Sequence, residues 1–440
     1  MNKIDVDISK DLNETTYSTT LDNGLQVYIC KKEGYNKKIG MFGTKYGSVI
    51  NEFVDITNNK RVRVPDGVAH FLEHKLFEQE GANALDLFSK IGVSSNAYTS
   101  FDHTVYYFET IEKYEEALEL LIKLVRTPYF TDENVEKEQG IIGQEISMYD
   151  DEPSYKVYFN TLQAMYNSNP VKIDIAGTIE SISNITKDTL YTCYNTFYSL
   201  QNMFFIVIGD VDVEKTIKII ENNVNKYEKA NKSKSDIVVF NSKEDKKVNK
   251  KLIEQSMDVY MQEVSIGYKL EIVEHQELIK RQIVADIISD MYFSKLSKFY
   301  EDQYALGLLN DDISFSYEGS RTFSHVVVIA ESKDAKKLSN NIIEYIDLIK
   351  NQEIDKKLFD LTKKKKIGEM FLLSDRLDLS YRRIIDKILN ETKMYDDVEI
   401  IKAITVDDIK NFLGLLKNDE KVQIYIKSYM KKVLFYQNQV

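Results

Sequence analysis

The sequence predicts an α+β protein of two homologous domains, each a mixed, mostly antiparallel sheet with helices packed on one face. Three observations lead there. A strand–helix–helix pattern occurs at 103–109, 112–126 and 132–148, and again at 323–332, 333–350 and 353–370. A second signal also occurs twice: Ile185-Thr186-Lys187-Asp188 opens a helix before the apolar run 203–208, and Ile404-Thr405-Val406-Asp407-Asp408 opens one before 422–427. Between the copies, residues 226–252 are charged and rich in Ser and Asn, which reads as a linker with one short strand at 237–240. An internal repeat of about 200 residues follows. It gives an N-terminal domain at 1–225, the linker at 226–252 and a C-terminal domain at 253–440.

The elements of the first copy are legible in order. Residues 25–30 alternate after the turn signal Asp22-Asn23-Gly24 and predict a strand. A second strand is expected at 39–48 and a polar loop at 51–64. Leu85, Leu87 and Phe88 anchor a short helix at 83–91. Strands at 94–100 and 103–110 meet tightly at Phe101-Asp102. Residues 114–126 are helical, and Pro128 ends that helix. Tyr155, Tyr158, Phe159, Leu162 and Tyr166 recur at helical spacing and predict a core-facing stripe. Helices are expected at 186–198 and 213–224, with a buried strand between them at 203–208.

Composition narrows the class. A chain of 440 residues with 43% hydrophobic and 29% charged residues can bury a sizeable core. A net charge of −12 disfavours a nucleic-acid surface. No run of 18 apolar residues occurs, and the first 18 residues lack an apolar core. Neither a membrane span nor a secretory signal is expected, so a cytoplasmic protein is. Cys30 and Cys193, each among apolar or aromatic neighbours, are expected as buried thiols.

The chemistry concentrates at residues 65–78. His70-Phe71-Leu72-Glu73-His74 places two imidazoles four residues apart, on one face of a helix. Two such nitrogens can bind one Zn²⁺ at about 2.0–2.1 Å. Glu73 precedes the second His, too close in sequence for a simple third ligand, but its carboxylate can reach a water at the metal and act as general base. The pattern is the inverse of the thermolysin motif. Val68, Phe71, Leu72 and Leu76 would pack the helix into a core. A third ligand is needed, and residues 131–151 offer the candidates. Glu138 and Glu145 lie seven apart on one helix face, with Ile141, Ile142 and Ile146 packing around them, and Thr131 or Asp132 as cap. Gly140 and Gly143 are poor helix formers, and their presence suggests that another element approaches closely. His103, His275 and His325 stand alone and read as structural.

These residues carry a resemblance. Gly67-Val68-Ala69-His70-Phe71-Leu72-Glu73-His74, the run from Val135 to Ile146, Gly92-Val93-Ser94-Ser95-Asn96-Ala97-Tyr98-Thr99-Ser100 and Ile175-Ala176-Gly177-Thr178-Ile179-Glu180-Ser181-Ile182 occur in that family's order. The chain resembles the insulinase, pitrilysin and mitochondrial-processing-peptidase family of zinc peptidases, and within it the bacterial YmfH-like members. The resemblance implies one Zn²⁺ per chain, held by His70, His74 and Glu145, with Glu73 as catalytic base. It implies that Glu138 is a second catalytic-site carboxylate supporting the metal. Asn96 and Ala97 are implied to bind substrate on a strand edge, where an extended peptide adds as a further strand. It also implies that the two halves form a clam-like half chamber.

One stretch departs from the family. Members that work alone often carry an Arg and a Tyr seven apart in a later domain, gripping the substrate carbonyl. Aligning on Leu306-Gly307 puts Glu301 and Leu308 at those positions, and Arg321 is the nearest Arg. The expectation is therefore a zinc metalloendopeptidase acting on extended peptides, paired with a homologous subunit that lacks the metal motif. A homodimer is the alternative assembly. The alternative function is a non-catalytic recognition or scaffold subunit, for which Glu73 would have no use. A purely structural zinc site is disfavoured, because such sites are usually closed and Cys-rich.

Overall fold

The fold comes from a computed structural model that describes residues 3–227 and 236–429. Residues 228–235 of the expected linker lie outside the described residues. The chain forms two compact units, each with its own sheet. Of the described residues, the first holds those up to 146, those within 174–241 and 371–395; the second holds 147–173, 242–370 and those from 396 to 429. A cut at 226–252 does not reproduce these units, because each takes in a helix from the other half of the sequence.

In the first unit seven strands lie in the order Asp5–Ser9, Glu14–Thr20, Gln26–Lys31, Met203–Gly209, Lys38–Thr44, Thr104–Thr110, Ser94–Thr99. The second unit's five-stranded sheet runs Leu252–Met257, Lys421–Ser428, Gln262–Lys269, Ser324–Ser332, Ser314–Gly319. The five strands from Gln26–Lys31 onward and the whole second sheet share one topology. In each, the last strand of the copy inserts parallel to the first strand and antiparallel to the second. The preceding helix is capped by Thr186 in one copy and Thr405 in the other. The repeat read from sequence is thus a repeat of strand order.

Most helices of each unit pack on one face of its sheet. One more helix covers each opposite face, and it comes from the other half of the chain. Leu377–Asn390 sets Ile384, Ile385 and Ile388 against Ile39, Met41, Phe204, Ile206 and Ile208. The run Met203–Gly209 is buried at every residue because its two sets of side chains face two different covers. Glu14, itself buried, fixes this helix by pairing with both Lys32 and Arg383. On the second sheet the helix Pro153–Met165 approaches Gly267 so closely that a Cβ there would sit 2.7 Å from the Thr161 methyl and 2.9 Å from Met165 Sδ.

Several local expectations change. Residues 51–64 are not a plain loop: Glu52–Asp55 pairs with Lys60–Arg63, and Asp55 closes the turn by accepting from Thr57 and Asn58. The short strand expected at 237–240 is a single bridge, Phe53 to Val239. Asp5–Ser9 and Glu14–Thr20 are strands that their polar composition hid. Cys30 and Cys193 are buried and free. No helix among the described residues is long and apolar enough to cross a membrane.

Glu263 stands directly across the strand pair from Glu331 and is buried. Burial, then the charges of Glu331 and Glu152, push its carboxyl up to about 7. The folded state therefore holds the proton more tightly than the unfolded chain, whose carboxyl keeps the ordinary value of 4.5. Stability should fall as pH rises from about 4.5 to about 7, by up to about 1.4 kcal/mol per pH unit from this group. Glu263→Gln should remove that part of the slope and melt higher than wild type at pH 8. Melting temperature against pH for both proteins is the check; parallel curves would refute it.

Candidate metal centre

The helix that carries the motif is Val68–Phe77. Its start is set by two glycines in close contact. Gly67, the N-cap, has φ +91°, and a Cβ there would sit 2.4 Å from Ala176 O; a Cβ on Gly177, at φ +80°, would sit 2.5 Å from Asp66 O. Ser181 Oγ donates to Asp66 O at 2.8 Å, and Asn51 donates to the Asp66 carboxylate at 2.9 Å. The stretch 174–181 thus clamps the helix N-terminus. Phe71, Leu72 and Leu76 are fully buried in the core of the first unit. Glu73 and His74 turn away from that core toward a cleft, and His70 lies on the same helix face, one turn before His74.

The helix Asp132–Asp150, capped by Thr131, brings its carboxylates to the same place. Glu145 Oε1 lies 3.8 Å from His70 Nε2, and its Oε2 lies 3.5 Å from His74 Nε2. One donor atom from each of His70, His74 and Glu145 falls within 4.8 Å of the others, and no other such group of three occurs among the described residues. Ligands at about 2.0–2.1 Å in a tetrahedron stand about 3.4 Å apart, so these separations suit one zinc ion. The protonation state of His70 suits it too. Burial, reinforced by the charge of His74, drives the His70 imidazole down to about 3, so it is neutral and free to donate a lone pair.

His74 differs. Burial lowers its basicity, but the hydrogen bond to Glu138 and the charges of Glu73, Glu138 and Glu145 outweigh that and raise it. Its Nδ1 faces Glu138 Oε1 at 3.1 Å, which leaves Nε2 for the donor cluster. Glu138 therefore sits on the Nδ1 side of His74, opposite the nitrogen that faces Glu145. Burial alone would raise the Glu138 carboxyl; His74 and Lys75 together hold it below its ordinary value.

Glu73 is buried, and its Oε2 accepts a hydrogen bond from Thr99 Oγ1 at 2.7 Å. Burial raises its carboxyl above 4.5, Thr99 and His74 pull it down, Glu145 pushes it up, and the net direction is up. It opens on a cleft of about 640 Å³ that His74, Phe77, Asn96, Tyr129, Lys137, Glu138 and Ile141 also line. The strand Ser94–Thr99 is the last in its sheet and, among the described residues, pairs only with Thr104–Thr110, which leaves its outer edge without a strand partner there. Asn96 and Ala97 sit midway along it, and the Asn96 side chain accepts from the Ala97 N–H at 2.8 Å.

Two expectations about the second helix fail. A Cβ at Gly140 or Gly143 would meet nothing within 4 Å among the described residues, so no described element demands a glycine there. Ile141, expected to pack around Glu138 and Glu145 with Ile142 and Ile146, is instead 45% exposed and lines the cleft. The sequence reading also passed over Thr99 and Lys75. Thr99 lies inside a quoted motif, and Lys75 occupies a slot where the helix pattern calls for an apolar residue. Leu308 is buried in the core of the second unit, Glu301 is exposed on the helix Lys298–Ala305, and Arg321 lies in the turn between Ser314–Gly319 and Ser324–Ser332. His103 bonds Asp102 at 2.6 Å, and His325 is buried against Tyr166. His275 is exposed at a helix start.

Known proteins match this architecture along nearly its whole length. Residues 63–179 match the family described as insulinase (peptidase family M16), and 184–366 match the peptidase M16 inactive domain. A Bacillus subtilis (strain 168) protein named "uncharacterized zinc protease YmfH" is 38% identical over 406 residues, 92% of this chain and 94% of its own length. The crystal structure of a putative M16-like peptidase from Alicyclobacillus acidocaldarius superposes with a TM-score of 0.91 at 31% identity, covering 96% of this chain and all of that one. The mitochondrial-processing peptidase subunit beta of Caenorhabditis elegans is 30% identical over 215 residues, 47% of this chain and 44% of its own length. With that coverage and identity, the chain belongs to the insulinase family of peptidases, family M16.

Proposed function

We propose that this chain is a zinc metalloendopeptidase that hydrolyses peptide bonds in extended or partly unfolded peptides. The observation that carries the reading is the convergence of His70, His74 and Glu145 donors next to Glu73, with Glu73 and His74 both on the wall of a cleft. His70, His74 and Glu145 would hold the metal. When bound, zinc supplies Lewis acidity toward a water and a substrate carbonyl. Glu73 is the base: Thr99 pins its Oε2, and Oε1 takes a proton from the attacking water. The water oxygen adds to the carbonyl carbon, the C–N bond breaks, and Glu73 returns the proton to the departing amine. Glu138 orients His74 and does not itself touch the reacting atoms. The free edge at Asn96 and Ala97 gives an extended peptide main-chain partners next to the base, and main-chain pairing favours loose sequence preference.

A subunit role without chemistry is the second reading. The observation behind it is that the second copy lacks the metal motif and matches an inactive domain. The reading joins the first in one respect. Glu301 and Leu308 replace the Arg and Tyr that the family resemblance leads one to expect, and Leu308 is committed to a core. Missing one donor to a developing oxyanion costs about 10²–10³ in rate. We therefore infer that the chain works with a homologous subunit that supplies such donors; the beta subunit of a processing peptidase is among its relatives. The test is sizing, metal analysis and peptide cleavage of the isolated chain, with and without a chelator. About one zinc per chain and weak, chelator-sensitive cleavage that rises with the partner is expected. Robust cleavage by the chain alone would exclude an obligate partner, and cleavage indifferent to the chelator would exclude the zinc mechanism.

A further inference from the structure

We propose that Lys75 is a positioning residue of the metal site, whose ammonium holds Glu138 in the orientation that makes His74 present Nε2 to the metal. The inference rests on the zinc-peptidase reading above. By pattern, position 75 belongs to the apolar face of its helix, seven residues after Val68, four after Phe71 and three after Leu72. The structure places Lys75 in that core slot, with its side chain 0% exposed. An ammonium there is costly unless acceptors surround it. Glu138 Oε2 lies 3.3 Å from Nζ, and Glu78 is the second partner.

The same carboxylate serves His74. Glu138 Oε1 faces His74 Nδ1 at 3.1 Å, so one oxygen answers the ammonium and the other the imidazole. With Oε2 occupied, Oε1 is fixed as the acceptor and the His74 proton stays on Nδ1. Nε2, 3.5 Å from Glu145 Oε2, is then the lone-pair nitrogen facing the donor cluster. The bond made by one ring nitrogen decides what the other can do. Without the ammonium, the Glu138 carboxylate is free to turn about its Cγ–Cδ bond, and the ring loses its fixed tautomer and tilt. Glu78 grips Nζ from the other side. It is the C-cap of the metal helix and lies on the cleft wall, whereas Lys75 does not line the cleft. Lys75 therefore acts on the metal only through Glu138 and His74.

The test is metal affinity of the full chain, measured with Zn²⁺ and with Co²⁺ by competition against a chromophoric chelator, together with the Co²⁺ absorption spectrum. Lys75→Met, which fills the core slot without charge, should weaken binding by about 10–100-fold and alter the spectrum, as loss of an outer partner of a ligating His does. Lys75→Arg should recover most of the affinity. In a Glu138→Gln background, Lys75→Met should add no further loss, because both changes break one chain of bonds. A packing role alone would lower the melting temperature and leave the affinity of the folded protein unchanged. Wild-type affinity and spectrum in Lys75→Met, or losses that multiply in the double variant, would overturn the inference. Should Lys75→Met fail to fold, Lys75→Gln replaces it, with the same loss expected and an unchanged affinity equally fatal. Wild-type protein that binds neither ion overturns the zinc reading itself, which separates the two failures.

Discussion

Glu73→Gln should leave zinc content at the wild-type level and lower peptide cleavage by at least about 10²-fold, the low end of what general base catalysis contributes. The substitution keeps the shape and the hydrogen bond from Thr99, since the glutamine oxygen can accept at 2.7 Å as the carboxylate does. It removes the capacity to take a proton. Glu73 is not among the three residues whose donors converge, so metal binding should survive. Zinc per chain and initial rates on one extended peptide, measured on the same preparation, decide it. Full activity would place the base elsewhere, with Glu138, which also lines the cleft but is engaged by His74 Nδ1, the first suspect.

His74→Ala should abolish stable zinc binding and, with it, cleavage. A catalytic zinc site has three protein ligands, and removing one leaves His70 and Glu145 as a two-point site. It also leaves the buried Glu138 with Lys75 as its remaining ion-pair partner among the described residues. Elemental analysis after dialysis should fall from about one zinc per chain to near zero. A second readout is thermal. Ligand that binds only the folded state raises its stability by RT ln(1 + [L]/Kd), so added zinc should raise the melting temperature of wild type and not of the variant. Undiminished zinc in His74→Ala would move the metal to other residues and undo the assignment.

What the sequence decided by itself is what depends on short-range periodicity. His70 and His74 share a helix face because four residues make about one turn, and Glu138 and Glu145 do so because seven make two. The run 203–208 announced a buried strand because no polar residue alternates within it. The duplicated strand order followed from repeated patterns that each encode a local unit. The edge strand Asp5–Ser9 stayed hidden because all but its last residue are exposed and its composition is polar.

Everything that joins distant segments was left to the tertiary structure. Glu145 meets the two histidines only because a separate helix packs alongside. Thr99 reaches Glu73 only because the strand at the sheet edge runs beside the metal helix. That residues 377–390 cover the far face of the first sheet, held by Glu14, Lys32 and Arg383, could not be read from amphipathicity, which says that a face must be covered and not by what. Gly140 and Gly143 misled for a related reason: a small residue permits close approach but does not require it. Lys75 is the sharpest case. Its spacing called for an apolar side chain, and the acceptors that make a buried ammonium tolerable come from Glu78, three residues on, and from Glu138, 63 residues on. Periodicity locates a core position, but only the assembled fold brings the charges that let a core position hold a cation.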